Sequence, residues 1–193
     1  MSNIYLPFQT PIYQSYIEKN SFSQIKKDVK SFIHNNNNLF SSIWDCPTLT
    51  TQNIVLEKNI KSKLLEEEIK NHVKEYYNFW KFNKPCSLNI EQLWVNISNQ
   101  GSYQEIHDHG NYLFSGSIYI KVNDKSGNLV LYNSLSAENI LMHCSSIFDK
   151  TCSINPKNSM IVLFPGWMKH RVSQNKSDLN RISVSFNIKA NFK

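Results

Sequence analysis

From Leu88 onward the chain is written in short extended runs, each closed by a turn signal within about eight to twelve residues. No other feature restricts the fold as much. Runs rich in Val, Ile, Leu, Phe and Tyr occupy residues 88–98, 103–109, 115–122, 128–133, 151–155, 159–164, 168–173 and 181–189. Asn123 to Asn128, with Gly127 inside it, reads as a hairpin turn; Asn155 to Asn158 and Asn175 to Asn180 read as two more. Such a series of antiparallel strands suits a jelly roll or double-stranded β-helix. The expected fold class is therefore α+β, mainly β, with N-terminal helices packed on one outer face.

The first 87 residues carry a different period. Ile4 to Ile17, broken by Pro7 and Pro11, reads as an edge strand or two. Ser21 or Ser23 caps a helix running to about His34, with Ile25, Val29, Phe32 and Ile33 near helical spacing, and Asn35 to Asn38 end it. Phe40 to Thr51, with Trp44, Cys46 and Pro47, reads as a loop. A long helix follows over about Leu56 to Trp80, where Ile60, Leu64, Leu65, Ile69, Val73, Tyr76 and Tyr77 form one apolar stripe. Glu66 to Glu68 make its solvated face, and Pro85 closes this half. The organisation expected is one domain over 1–193, with 1–87 in support and 88–193 as the β core.

A chain of 193 residues buries about 70% of its unfolded surface without covalent staples. Cys46, Cys86, Cys144 and Cys152 form no Cys-x-x-Cys pair, so reduced thiols in a cytoplasm are the simplest reading. The N-terminus lacks the pattern of a secretory signal, and no apolar run is long enough for a membrane span. Net charge is +6, but the lysines are scattered. Nucleic acid is not expected as the main partner, nor is a membrane.

The chemistry concentrates in His107 to Tyr119. His107 and His109 are two apart at the end of an extended run, and residues i and i+2 of a strand share a face. Two imidazoles so placed can hold one metal ion. Asp108, between them, should point away as a surface carboxylate. His170 is the candidate third ligand, from another run, and Arg181 stands eleven residues beyond it. His34, His72 and His143 have no such company and read as packing or surface residues. Three protein ligands on one side of a first-row metal leave positions open for small molecules, as oxygen-activating iron chemistry requires. Arg181 presents a planar fork of donors suited to a carboxylate. Ser183 follows on the same strand face. Tyr119 either reaches this pocket with its hydroxyl or is a core aromatic, and Trp94 and Asn96 either line it or pack. Imidazoles of ordinary pKa, about 6.5, would yield a metal to protons below about pH 6.5.

Trp94-Val-Asn96, His107-x-His109, Ser115-Gly-x-x-Tyr119, Phe164-Pro-Gly-Trp-x-x-His170 and Arg181-Ile-Ser183-x-Ser-Phe-Asn187 together resemble a family of 2-oxoglutarate- and Fe(II)-dependent oxygenases with bacterial and marine phage members. The resemblance covers about residues 90–190 and implies a prolyl-hydroxylase-like double-stranded β-helix. It implies Fe(II) on His107, His109 and His170, and 2-oxoglutarate held by Arg181, Ser183, Tyr119 and Asn96. It further implies O2 as oxidant and the hydroxylation of a small molecule or peptide, in a bacterial cell or a phage-infected host. One position departs from the wider superfamily: His109 stands where a carboxylate would complete the set. Three-histidine iron sites occur among cupin-type oxygenases, so a three-histidine metalloenzyme that does not use 2-oxoglutarate is the first rival reading. A non-catalytic jelly-roll binding or virion protein is the second. The segment from Asn133 to Thr151, with Tyr132 and Met142, is the expected rim of the substrate mouth. Monomer and homodimer both stay open.

Overall fold

Two apolar periods, 3.6 and 2, sort this chain into a helical layer and two sheets. The computed structural model describes residues 10–54, 58–133 and 151–192. The elements in order are β1 (Tyr13–Tyr16), α1 (Lys19–Asn35), β2 (Ser41–Ser42), β3 (Thr48–Thr50), α2 (Lys63–Trp80), β4 (Cys86–Ser98), β5 (Gln104–His107) and β6 (Phe114–Lys121). After them come β7 (Leu129–Tyr132), β8 (Thr151–Ile154), β9 (Met160–Pro165), β10 (His170–Val172) and β11 (Arg181–Phe192). A seven-stranded sheet has the order β1-β9-β6-β11-β4-β3-β2, and a four-stranded sheet the order β5-β10-β7-β8. Every pairing is antiparallel. This is the double-stranded β-helix that the strand pattern predicts.

Side chains of β11 alternate. Val184, Phe186 and Ile188 enter the large core with Val95, Ile118, Ile161 and Leu163, against Ile25 and Val29 of α1 and Leu65, Ile69, Val73 and Tyr76 of α2. Ser183, Ser185 and Asn187 occupy the opposite face, toward the second sheet. Burying each large apolar side chain is worth about 1.5–3 kcal/mol. A one-residue slip of β11 would set serines and Asn187 against the helices, so its register is fixed by burial. A smaller cluster, with Leu129, Leu131, Met160, Val162 and Phe164, fills part of the space between the sheets.

Several details differ from the sequence reading. The three turns join strands of different sheets: 122–128 carries β6 to β7, 155–159 carries β8 to β9, and 173–180 carries β10 to β11. They are sheet-to-sheet crossings and not hairpins. α1 starts at Lys19, ahead of both serines, with Glu18 as a cap that forms no side-chain bond. Ser23 instead donates to the Lys19 carbonyl. α2 starts at Lys63 and not near Leu56, because the Ser62 hydroxyl accepts the Leu65 N–H and caps it there. The segment read as a loop before it contains β2 and β3, which extend the larger sheet beside β4. Residues 4–9 of the expected N-terminal strands, Cys144, His143, and most of the expected substrate rim lie outside the described residues. No helix among the described residues is long and apolar enough to cross a membrane.

Candidate metal and carboxylate site

The pocket floor is a set of cross-strand rows on the larger sheet. Arg181 pairs with Ser98; Ser183 pairs with Asn96 on one side and Tyr119 on the other; Ser185 pairs with Trp94 and Ser117; Asn187 pairs with Gln92 and Ser115. Residues two apart on each strand continue the same face, so the floor is polar apart from the Trp94 ring. The facing sheet contributes Gln104, His107, Leu129, His170 and Val172, and the two sheets line one cavity between them.

His107 and His170 are direct cross-strand partners of β5 and β10. β5 ends at His107, so His109 lies beyond the strand and not on it. It returns to the site because its N–H donates to the Gly166 carbonyl at 2.8 Å. That contact needs glycine: a Cβ on Gly166 would come within 2.1 Å of the Tyr112 carbonyl oxygen. The ring centroids stand 4.2 Å (His107–His170), 5.1 Å (His109–His170) and 5.2 Å (His107–His109) apart. One nitrogen from each lies within 4.8 Å of the others.

Backbone carbonyls orient two of the rings. Glu105 O is 2.7 Å from His107 Nδ1, and Met168 O is 2.9 Å from His170 Nδ1. A carbonyl only accepts, so both Nδ1 atoms carry the proton and both Nε2 lone pairs are free for a metal. His109 Nδ1 lies 3.5 Å from the Asn187 amide, which is itself tied to Gln92 at 2.7 Å and to the Ser115 hydroxyl at 2.7 Å. With both amides turned over, Asn187 Oδ1 accepts from His109 Nδ1–H, Gln92 Nε2 donates to that oxygen, and Asn187 Nδ2 donates to Ser115. All three contacts survive, and Nε2 of His109 is free like the others. Burial is the main cause that pushes His107 below the usual imidazole range, His109 down to about 4 and His170 to about 3, with His107 adding to the effect on the other two. Three neutral imidazoles converging on one point fit a divalent first-row metal.

Arg181 is only 2% exposed. Its guanidinium donates to Ser98 Oγ (3.2 Å) and Ser126 O (3.4 Å), while Nε is buried with no partner. No carboxylate pairs with it among the described residues. Burial pushes it below its usual range, and also pushes the neighbouring Tyr119 hydroxyl up to about 12, so Tyr119 is a neutral donor. An unpaired buried guanidinium beside a neutral phenol fits a carboxylate ligand. Asn96 lies in the same row with Oδ1 unpartnered, its Nδ2 donating to Ser185 at 3.2 Å.

The structure thus brings His107, His109, His170, Arg181, Ser183, Tyr119, Asn96 and Trp94 to one cavity. Asp108 is exposed and accepts the Gly110 N–H in the turn. His72 packs elsewhere, against Tyr13 on β1. Sequence reasoning did not single out Trp44, Gln52, Gln104 or Gln92. Trp44 and Gln52 come from the segment before α2, and no spacing in the sequence links that segment to the site. Gln92 lies on the polar face of β4 two residues before Trp94, where period 2 could have found it.

Fold and site together present a jelly roll in which three convergent histidines and a buried arginine line one cavity. Residues 92–187 match the model of the family described as "Putative 2OG-Fe(II) oxygenase", and the chain belongs to that 2-oxoglutarate- and Fe(II)-dependent oxygenase family. Among solved structures, a Pseudomonas putida prolyl-4-hydroxylase is similar with TM-score 0.65 at 8% identity, covering 93% of this chain and 92% of that one. A viral collagen prolyl hydroxylase from Paramecium Bursaria Chlorella virus-1, in a 2OG complex, gives 0.60 at 14% identity, covering 92% and 94%. HygX from Streptomyces hygroscopicus, with nickel and 2-oxoglutarate bound, gives 0.65 at 9% identity, covering 93% and 83%. At these identities the likeness is one of fold. No curated protein matches the chain by sequence.

Proposed function

We propose that this chain is a hydroxylase in which His107, His109 and His170 hold Fe(II) and Arg181 anchors 2-oxoglutarate. The observation that carries this reading is the shared cavity, with three neutral imidazoles and a buried arginine that has no anion among the described residues. Fe(II), when bound, supplies the chemistry that activates O2 as 2-oxoglutarate loses CO2 to become succinate; one oxygen atom enters succinate and the other the substrate. The chain's own residues bind and orient. Arg181 takes the far carboxylate with its planar fork, Tyr119 donates to the same group, and Ser183 adds a hydroxyl from the next position on that face. Asn96 offers an amide beside them. Leu129 and Phe164 supply apolar wall that keeps water out.

The rival three-histidine enzyme without 2-oxoglutarate leaves Arg181 buried and unneutralised, which is costly. A non-catalytic binding protein has no use for three imidazoles held neutral at one point. Cys46, Cys86 and Cys152 stand free, which supports a reducing, cytoplasmic setting. We take residues 1–193 as one domain, since both helices bury their stripes on the β core. Peptidyl proline heads the substrate panel, because two similar structures are prolyl hydroxylases. Succinate release in the presence of Fe(II), O2 and 2-oxoglutarate, measured across peptides and small molecules, tests the proposal. Substrate-stimulated succinate supports it; no succinate above the metal-free control, with or without any substrate, contradicts it.

A further inference from the structure

Trp44 stands outside the stretch that matches the family, on the loop between β2 and β3, yet it lines the same cavity. Its ring lies 4.8 Å from that of His107, tilted by 52°. Its indole Nε1 is buried without an acceptor. The loop around it is built and not incidental. Ser42 Oγ contacts the Trp44 and Cys46 carbonyls (3.1 and 2.8 Å), and the Asp45 N–H donates to Glu105 Oε1 (3.3 Å). The Cys46 thiol donates to the Tyr103 carbonyl (2.8 Å) and lies 3.3 Å from the Tyr103 N–H. The last three contacts land on β5 or the residue before it, which ties this loop to the strand that ends in His107.

An indole N–H can only donate, and buried donors are nearly always paired. Two donors that line this cavity, Trp44 Nε1 and Arg181 Nε, have no acceptor among the described residues, and no described Asp or Glu lines it. A ligand rich in acceptor oxygens would satisfy both at once. Resting on the function proposed above, we propose that Trp44 is a cosubstrate-binding residue: its indole N–H donates to a carboxylate oxygen of 2-oxoglutarate, while its ring walls the cavity beside His107. The cosubstrate pocket is then completed by the N-terminal half, from a loop that the β core alone does not contain.

The test is calorimetric titration of 2-oxoglutarate into the 193-residue chain loaded with Mn(II), for the parent, Trp44→Phe and Arg181→Lys. Trp44→Phe keeps a ring against His107 and removes only the N–H. It should weaken 2-oxoglutarate about tenfold, the worth of one hydrogen bond to a charged acceptor, and change Mn(II) affinity by less than about twofold. Unchanged 2-oxoglutarate affinity in Trp44→Phe, with Arg181→Lys weakened, would overturn the role of Trp44 and leave the proposed function standing. No 2-oxoglutarate binding by the parent would overturn both. Glu105 Oε2 is a second unpartnered acceptor near this loop; equal loss of melting temperature in Trp44→Phe and Glu105→Gln, with 2-oxoglutarate affinity intact, would assign the indole to Glu105 instead. Should Trp44→Phe fail to fold, the Zn(II)-loaded parent still decides. The indole N–H resonance assigned to Trp44 should shift on adding 2-oxoglutarate, and a resonance that does not move contradicts the proposal.

Discussion

A guanidinium buried as deeply as that of Arg181, with Nε unpartnered and no carboxylate beside it among the described residues, is costly until an anion joins it. Lysine would keep the charge and lose the fork. Arg181→Lys should therefore weaken 2-oxoglutarate binding to the metal-loaded protein by about ten- to a hundredfold, as the loss of a charge-assisted hydrogen bond would, and calorimetric titration reads this directly. Asn187 is the corresponding support for His109, tied in turn to Gln92 and Ser115. Residues that orient a metal ligand are worth about ten- to a hundredfold in metal affinity. Asn187→Leu should lower Co(II) affinity by that range in a competition titration and leave the Arg181 end intact. The sign of the pH effect follows from burial. Imidazoles ligate when neutral, and His109 and His170 are pushed down to about 4 and 3. Protons therefore compete for His109 and His170 only near those values, and for His107, lowered as well, below the ordinary 6.5. With His107 also pushed below its ordinary range, Co(II) affinity should stay nearly flat from pH 8 through 6.5 and fall only at lower pH; a fall that sets in above pH 6.5 would contradict this. The same shifts make the metal-free protein less stable as pH drops from 6.5 toward 4, because the unfolded chain takes up protons that the folded one refuses.

At the scale of elements, β1 is held to α2 by a polar latch. Tyr13 donates to Glu75 Oε2 at 2.7 Å, and since its one proton is used there, His72 Nδ1–H donates to the Tyr13 oxygen at 2.7 Å. Burial first, then the bond to Glu75, pushes the Tyr13 hydroxyl up to about 12. The folded state thus keeps a proton that the unfolded state loses near 10, so this contribution is complete below pH 10 and is lost as pH rises through 12. Tyr13→Phe should lower the melting temperature at pH 7 and make its decline between pH 10 and 12 shallower. Which elements were legible in the sequence follows from the kind of signal each gives. The strands of the β half were, because period 2 and their turns are local. The sheet-to-sheet crossings were not: Asn123 to Asn128 spells a turn, and nothing local says which sheet receives β7. α2 was overextended because Ile60 continues the apolar stripe, although Ser62 caps the helix after it. β2 and β3 were missed since two- and three-residue strands carry almost no period of their own.

For the whole molecule, the polar rows of β4, β6 and β11 face a second sheet that carries two histidines, and the apolar faces of the same strands meet the helices. One sheet thus serves as core on one side and as pocket floor on the other. His107, the distal His170 and Arg181 were readable because they fall on strands whose facing the pattern already sets. His109 was readable for a partly wrong reason, since it lies past the strand and is held by Gly166 and Asn187. Trp44 was unreadable, as only the folded chain brings β2 and β3 alongside β5. On the function proposed, His107, His109 and His170 hold one ion while Arg181 takes a carboxylate. Anomalous diffraction at the iron edge, from crystals grown without oxygen with Fe(II) and 2-oxoglutarate, measures both together. One iron peak should stand about 2.0–2.2 Å from a nitrogen of each histidine, by analogy with imidazole on other divalent ions, with a 2-oxoglutarate carboxylate on the Arg181 fork. Iron bound elsewhere, or bound with His109 turned away, or a ligand that leaves Arg181 unpaired, would contradict it.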